Sequence, residues 1–151
     1  MVDVQTAIVI DRPVDQVSAF AMDPGNATAW YVNIKSVVWK SAPPLRVGSL
    51  LEFSAEFLGR RLSYVYEVTE IVPSTRFVMR TAEDPFPMET TYSWESVPGD
   101  RSRMTLRNRG KPSGFGRLVA PLMSMAMRRA NRKDLVRLKA LLEATPARVV
   151  R

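Results

Sequence analysis

The sequence predicts an α+β fold in which a curved, seven-stranded antiparallel sheet wraps round one long C-terminal helix. Seven segments alternate apolar and polar residues or are rich in β-branched residues, and short turns containing glycine or proline separate the last six of them. Short turns between consecutive strands imply antiparallel pairing. The final segment has helical spacing, and a sheet of this length covers a single long helix only by curling round it.

The N-terminal part of the chain predicts one strand and two short helices. Residues 6–10 are β-branched and apolar and predict the first strand. Pro13 suits the first position of a helix that runs to about Ala21. Asp23 is placed to cap a second short helix, with Pro24 at its first position and its end near Trp30.

The remaining segments complete the predicted architecture. The long helix covers about residues 118–144, follows a loop at 110–116 and ends before Pro146. No repeat or linker divides the chain, so residues 1–145 are expected to form a single ligand-binding domain, with a short tail at 146–151. The six further strands are predicted at 34–41, 50–58, 62–72, 76–81, 88–97 and 102–108.

Charge and composition narrow the range of partners. The net charge is +7, but the cations are scattered and no run reaches the five or six like charges of a nucleic-acid arm, so no nucleic acid is expected. No apolar run reaches the roughly 20 residues of a membrane-spanning helix, and the N-terminus does not resemble a signal peptide. The chain has no cysteine, which favours a cytoplasmic location.

Common catalytic and metal-binding groups are missing from the composition. Without histidine or cysteine, Ser-His and Cys-His pairs are excluded and zinc, copper, haem and iron–sulfur ligation are not expected, so no catalytic residue, metal or cofactor is assigned. Glu52 and Glu56 share a strand face but lie about 13 Å apart, too far to act as a pair. Solvent exposure is expected for both of these carboxylates and also for Glu67, Glu70, Glu89 and Glu95.

Alternation along the strands selects the residues that face the long helix. Inward positions of the fourth, sixth and seventh strands carry aromatic residues and methionine together with Thr90, Ser102 and Asn108, which is too polar a set for a dry core. Core packing is the simpler interpretation of any single one of these residues. The candidate ligand-binding residues are Trp30, Tyr64, Tyr66, Met88, Thr90, Tyr92, Trp94, Met104, Met123, Met127 and Asn131.

Several segments together resemble the START-like superfamily, also called SRPBCC, which includes polyketide cyclases, lipid-transfer proteins and proteins of the birch-pollen allergen type. The resemblance covers nearly the whole chain and implies a helix-grip fold with a cavity between the sheet and the C-terminal helix. It also implies that Trp30 lies near the cavity mouth, where it is either a gate or a structural plug. The resemblance depends on residues 8–17, Asp23-Pro24 before Trp30, Gly48, Gly59, Val68-Thr69-Glu70 with Pro73 and Arg76, and Leu135, Leu138-Lys139 and Leu142-Glu143.

Three functions remain open from the sequence. The first is binding or transport of an apolar small molecule such as a lipid, a polyketide or an aromatic metabolite. The second is a cyclase or dehydratase that uses Tyr, Arg or Asn with ordered water. The third is a basic interaction protein that meets an acidic partner or a membrane face, although Arg128, Arg129, Arg132 and Lys133 are expected to spread over several helix faces.

Two further expectations concern orientation and mobility. Arg80 shares a face with Val78 and is expected to point outward. Residues 118–127 are apolar on every side, so something other than the sheet is expected to cover the outer side of this half-helix. It is predicted to act as a mobile lid and to contribute to a homodimer contact.

Overall fold

The computed structural model describes residues 2–57, 59–81, 87–110 and 120–145, and it confirms the predicted α+β architecture. The helices are α1 (Val14–Met22), α2 (Ala27–Trp30) and α3 (Ala120–Ala144), with a 3₁₀ turn at Pro24–Asn26 before α2. The strands are β1 (Val2–Ile10), β2 (Ile34–Trp39), β3 (Leu50–Phe57), β4 (Arg60–Val72), β5 (Arg76–Thr81), β6 (Met88–Val97) and β7 (Arg101–Gly110).

All seven strands belong to one antiparallel sheet. Its order is β1-β7-β6-β5-β4-β3-β2, so the first and last strands in sequence pair with each other and β2 forms the opposite edge. The register shifts between Ile34 and Ser36 in β2 and between Val68 and Glu70 in β4. Bulges of this kind bend a strand and increase its twist, which helps the sheet to curve round α3.

The hydrophobic core lies between the concave face of the sheet and the C-terminal half of α3. Leu135, Leu138 and Leu142 of α3 are at most 2% exposed and belong to the same cluster as Trp94 and Met104 of the sheet. A smaller cluster joins Val2 and Val4 of β1 to Met123, with Met127 packed against it. The two halves of α3 therefore pack against different parts of the molecule.

Polar contacts fasten the C-terminal half of α3 to the end of β1. The Lys139 ammonium donates to the carbonyl oxygen of Val9 at 2.8 Å and to Oε2 of Glu143 at 2.6 Å. The same Glu143 oxygen accepts from the backbone N–H of Asp11 at 2.9 Å, and Arg12 donates to the Glu143 carbonyl oxygen at 2.8 Å. These contacts hold the C-terminal end of α3 against the end of β1. The apolar segment 118–127 lies at the other end of the helix.

Local differences from the sequence prediction have identifiable causes. β1 begins at Val2 rather than at residue 6, because it pairs with β7 along its whole length. Pro13 is the N-cap of α1, with an extended backbone, rather than its first helical residue. Asp23 does cap the next turn, accepting from the N–H of Gly25 at 2.9 Å, with Pro24 at the first position.

Two glycines occupy positions that a side chain would disturb. A Cβ atom on Gly110 would lie 2.5 Å from the carbonyl oxygen of Pro87, so a side chain would force the ends of β6 and β7 apart. Gly59 has a φ of +75°, in the left-handed region that L-residues with side chains rarely adopt, as expected for the turn between β3 and β4. The loop predicted at 110–116 lies, from residue 111 onward, outside the described residues.

The convex face of the sheet carries charged side chains, some of which form ion pairs with one another. Arg103 pairs with Glu95 at 2.7 Å, and Arg107 makes two hydrogen bonds to Asp3 at 2.8 and 2.9 Å. Arg80 is exposed and aligned with Glu67 and Glu89, which confirms its outward orientation. Within the described ranges, no helix has both the length and the apolar character needed to cross a bilayer.

The predicted domain limits are not all covered. The start of the long helix at residues 118–119 and the tail at 146–151 lie outside the described residues. The assignment of residues 1–145 to a single domain stays a prediction.

Candidate functional site

A cavity of about 180 Å³ lies between the concave face of the sheet and the N-terminal half of α3. Its wall is mostly apolar and is formed by residues of six strands, β2 to β7, of α3 and of the segment between α2 and β2. The lining residues are Tyr31, Asn33, Ile34, Phe53, Ala55, Leu62, Tyr64, Tyr66, Met79, Met88, Thr90, Asn108, Met123, Met127, Ala130, Asn131 and Asp134.

Strand alternation explains which sheet residues reach the cavity. Phe53, Tyr66, Met79 and Thr90 lie on adjacent strands, and each is separated by two positions from another inward residue. The rings of Phe53 and Tyr66 meet edge to face, with centroids 5.4 Å apart, a favoured arrangement for aromatic pairs. The sheet side of the cavity is therefore a preformed aromatic and methionine surface.

Helical spacing brings the α3 residues together. Met123, Met127, Asn131 and Asp134 are separated by four, four and three positions, which places them along one face of the helix. The N-terminal part of this face, with Met123 and Met127, is apolar and adaptable, because the methionine side chain is flexible. The part that follows carries the amide of Asn131 and the carboxyl group of Asp134, so the polar groups of α3 lie together at one end of the cavity.

A series of hydrogen-bonded side chains, Tyr66, Thr90 and Asn108, runs across the sheet side of the cavity wall. The Thr90 hydroxyl donates to Oδ1 of Asn108 at 2.8 Å. Burial raises the pKa of Tyr66 to about 12, although a hydrogen bond between its hydroxyl and Thr90 opposes that increase. Tyr66 is therefore a neutral phenol at physiological pH and a hydrogen-bonding group rather than a base.

A second polar pair lies beside α2. The hydroxyl groups of Tyr31 and Tyr92 are hydrogen-bonded to each other, and Trp30 stacks on Tyr31 with ring centroids 4.0 Å apart. Burial is the largest cause that raises the pKa of both tyrosines well above the ordinary value. Both phenols are therefore protonated at physiological pH, and of the two only Tyr31 reaches the cavity wall.

Asp134 is the single carboxyl group among the described lining residues. It is 3% exposed, and its Oδ1 accepts a hydrogen bond from the backbone N–H of Val32 at 2.8 Å, which ties α3 to the segment after α2. Burial raises the pKa of Asp134 to about 6, against the opposing effects of that hydrogen bond and of Arg137. A carboxyl group with this pKa changes charge close to physiological pH.

Asn131 lies one helical turn before Asp134 on the same wall. Its side chain is 7% exposed, and its Nδ2 group has no hydrogen-bond partner. An unpaired buried amide donor costs about 1 to 3 kcal/mol, so the cavity offers a donor that an occupant is able to satisfy.

The structure brings together seven of the residues selected from the sequence and separates four others. Tyr64, Tyr66, Met88, Thr90, Met123, Met127 and Asn131 line the cavity. Trp30, Tyr92, Trp94 and Met104 are instead at most 4% exposed and belong to the packed core, with no surface on the cavity wall. These four face inward as expected, but they point into the layer that α2 and the C-terminal half of α3 cover.

Sequence reasoning missed the group with the most distinctive chemistry. The carboxylates singled out from the sequence all lie on strands, where they are exposed or half-buried, and Asp134 of α3 is not one of them. The signal was present, because Asp134 follows Met127 by seven positions and Asn131 by three, on the face that carries the inward residues. Tyr31 and Asn33 had no comparable signal, since irregular backbone between α2 and β2 positions them.

The outer face of α3 differs from the expectation. At about 100° per residue, Leu122, Met125, Val136 and the four cations project within an arc of about 140° rather than over several faces. Leu122 and Met125 are 67% and 66% exposed, so the described residues leave them uncovered. Among those residues, no acid pairs with Arg128, Arg129, Arg132 or Lys133. The lid and the homodimer contact stay predictions.

An antiparallel sheet curved round a long C-terminal helix, with a cavity between them, defines the START-like class of helix-grip proteins. The fold is shared with a START superfamily protein from Mycobacterium smegmatis, with a TM-score of 0.78, 14% identity, and 94% of this chain and 97% of that chain covered. The protein TTHA0849 from Thermus thermophilus gives a TM-score of 0.81 at 18% identity, covering 94% of this chain and 97% of that chain.

Within this class, the chain belongs to the polyketide cyclase/dehydrase and lipid transport family, whose sequence profile matches residues 1–143. The Zhui aromatase/cyclase from Streptomyces sp. R1128 has a similar fold, with a TM-score of 0.78, 13% identity, and 93% of each chain covered. No curated protein sequence matches the chain at the level required of a relative. The resemblance seen in the sequence is therefore confirmed at the level of family and fold.

Proposed function

We propose that the protein binds an apolar small molecule, of the size of one or two fused rings or a short acyl chain, in the cavity beneath α3. The observation that carries the proposal is the cavity itself, with about 180 Å³ enclosed by a mostly apolar wall. An engineered apolar cavity of about 150 Å³ is large enough to bind benzene. The family description, which includes both lipid transport and polyketide cyclisation, supports an apolar or polyketide-like ligand.

The energetics of an empty cavity favour an occupant. At about 24 cal/mol per Å³, a void of this size would cost roughly 4 kcal/mol, a large part of a typical domain stability of about 5 to 15 kcal/mol. Water is a poor occupant next to Phe53, Met79, Met88 and Met123, because a buried water needs two to four polar partners. An apolar ligand contacts these side chains and leaves the polar groups near Asn131 available for specific hydrogen bonds.

A substitution that fills the cavity is expected to abolish binding. Ala130 lines the cavity, so Ala130→Phe places a ring in the space that the ligand would occupy. Ala140→Phe makes the same change at an exposed position of α3 and serves as the matched control. We expect 1-tetralone, measured by isothermal titration calorimetry, to bind the wild-type protein and Ala140→Phe with similar affinity and to bind Ala130→Phe at least about tenfold more weakly. Equal affinity in all three proteins would show that binding occurs elsewhere.

One observation favours a cyclase as a second candidate function. Asp134 lies on the cavity wall, and its burial raises its pKa to about 6, which suits a general base at neutral pH. The phenol of Tyr31 lies on the same wall and is placed to donate to a substrate carbonyl. Together these groups are suited to an aldol cyclisation, in which an enol carbon attacks a second carbonyl carbon and water is lost.

This enzymatic alternative is tested with a small diketone. Heptane-2,6-dione cyclises by forming one carbon–carbon bond and losing one water molecule, and the conjugated product absorbs in the ultraviolet. A catalytic Asp134 predicts a rate over background that rises with pH through about 6, because the base must be ionised, and that is lost in Asp134→Asn. The same background rate with wild type, Asp134→Asn and no protein would leave a binding function only.

The third function, interaction with an acidic partner or membrane face, draws support from a different surface. The cations Arg128, Arg129, Arg132 and Lys133, which pair with no acid in the described part of the chain, occupy one side of α3 together with the exposed Leu122 and Met125, opposite the cavity wall. Cations interleaved with apolar side chains are typical of helices that lie on anionic membranes. This surface is compatible with a binding function and does not replace it.

A further inference from the structure

Among the residues that the structure describes, the cavity wall carries one carboxyl group and no cation. The described lining residues include Asp134 but neither lysine nor arginine, and Arg137 influences Asp134 from outside this wall. A ligand carboxylate or phosphate would therefore enter a largely apolar space that already holds a negative charge above about pH 6. Like charges repel strongly where water is scarce, so the wall disfavours anionic ligands.

The polar end of the cavity presents one donor and one acceptor. Asn131 and Asp134 are three positions apart on α3, a spacing that puts their Cβ atoms about 5–6 Å apart. The Nδ2 group of Asn131 is buried and has no partner, while the Val32 N–H occupies Oδ1 of Asp134 and leaves Oδ2 for an occupant. The pair thus matches a ligand that accepts a hydrogen bond at one point and donates one at another.

We propose that the cavity selects an uncharged ligand bearing a carbonyl and a hydroxyl group, with the carbonyl accepting from Asn131 Nδ2 and the hydroxyl donating to Asp134, and that it excludes carboxylates. This inference rests on the proposed binding function and specifies the chemistry of its ligand. Free fatty acids are rejected by such a site, whereas neutral hydroxyketones and hydroxylated aromatic ketones are accepted.

The groups around Asp134 determine how binding changes with pH. Arg137 of α3 favours the ionised carboxylate, as does the hydrogen bond from Val32, whereas burial favours the neutral acid. Tyr31, after α2, and Tyr92, on β6, interact electrostatically with Asp134, and Tyr66 lies on the cavity wall in β4. Burial raises the pKa of each of these tyrosines, so they stay neutral from about pH 5 to pH 8. Among the described residues of the wall, Asp134 is therefore the group that changes charge in this range.

Three bicyclic probes of similar size separate the contributions. They are 5-hydroxy-1-tetralone with both groups, 1-tetralone with the carbonyl alone, and 2-naphthoate with a carboxylate that remains ionised across the range. At about pH 8 we expect the hydroxytetralone to bind about tenfold more tightly than 1-tetralone and at least about tenfold more tightly than naphthoate. Between pH 8 and pH 5 the hydroxytetralone should bind more weakly and naphthoate more tightly, because Asp134 becomes protonated.

Substitutions assign these differences to individual residues. Asn131→Leu keeps the shape and removes the donor, so both tetralones should bind about tenfold more weakly while their ratio is retained. Asp134→Asn keeps an acceptor for the Val32 N–H and removes the charge, so the preference for the hydroxyl should shrink and both opposite pH trends should disappear. Met125→Leu, a change of similar volume at an exposed position of α3 outside the cavity wall, is the control and should leave the affinities and their ratios unchanged.

The outcomes distinguish this inference from the proposed function. If all three probes bind with similar affinity at pH 8, and Ala130→Phe abolishes their binding, the cavity binds ligands but the proposed selectivity is wrong. If naphthoate binds more tightly than 1-tetralone and Asp134→Asn does not change this, the exclusion of anions is overturned. If no probe binds the wild-type protein and native mass spectrometry finds no co-purified ligand, the binding function itself fails.

Discussion

Leu138→Ala is expected to lower the free energy of unfolding by about 2 to 5 kcal/mol, the range for truncating a buried leucine. Leu138 is completely buried in the main core, between α3 and the sheet. A loss of this size lowers the melting temperature by roughly 2–4 °C for each kcal/mol in a domain of this length. Urea and thermal denaturation, followed by far-ultraviolet circular dichroism, measure both quantities.

The matched control is Leu122→Ala, the same change on the same helix. Because Leu122 is 67% exposed, we expect its effect on the free energy of unfolding to stay within about 0.5 kcal/mol. A destabilisation by Leu122→Ala as large as that by Leu138→Ala would show that the outer face of α3 is covered in solution. That result would support the lid or the homodimer contact predicted for this half-helix.

Asp134→Asn is expected to change how stability depends on pH. Burial raises the pKa of Asp134 from an ordinary 3.8 to about 6 in the folded protein. Since the folded state holds this proton more tightly than the unfolded state, the group favours folding fully below about pH 4, and this contribution is lost as the pH rises through about 6. The difference between the two pKa values corresponds to about 3 kcal/mol.

The comparison between the two proteins isolates this group. Other carboxyl groups, such as Asp3 and Glu143, have lowered pKa values because they pair with Arg107 and Lys139, and they change stability in the opposite direction. The free energy of unfolding of Asp134→Asn minus that of the wild-type protein should therefore rise by about 2.5 kcal/mol between pH 4 and pH 8. A difference that stays constant over this range would mean that the Asp134 pKa is close to its value in the unfolded chain.

The order and type of the elements followed from the sequence because they depend on local patterns. Period-two alternation in β6 and β7 identified the inward faces correctly, and turn residues such as Pro98-Gly99 separated the strands. The family resemblance added the helix-grip arrangement and the existence of a cavity. Boundaries such as the start of β1 were less accurate, because pairing with β7 rather than local propensity decides them.

The division between cavity wall and packed core required the structure. Met88, Thr90, Tyr92 and Trp94 alternate identically along β6, yet the first two line the cavity and the last two belong to the core. The difference arises from where α2 and the C-terminal half of α3 lie above the sheet. A period of two specifies a face but not the position along that face at which the covering layer ends.

The sequence by itself determined the family, the element order and the set of inward side chains, since these follow from residue types and their spacing. Only the tertiary structure decided which inward residues line the cavity, that Asp134 is buried beside the unpaired Asn131 amide, and that Leu122 and Met125 stay exposed. The physical reason is that burial, and with it the pKa of a carboxyl group, depends on neighbours brought from distant parts of the chain, such as Val32, which is 102 positions from Asp134.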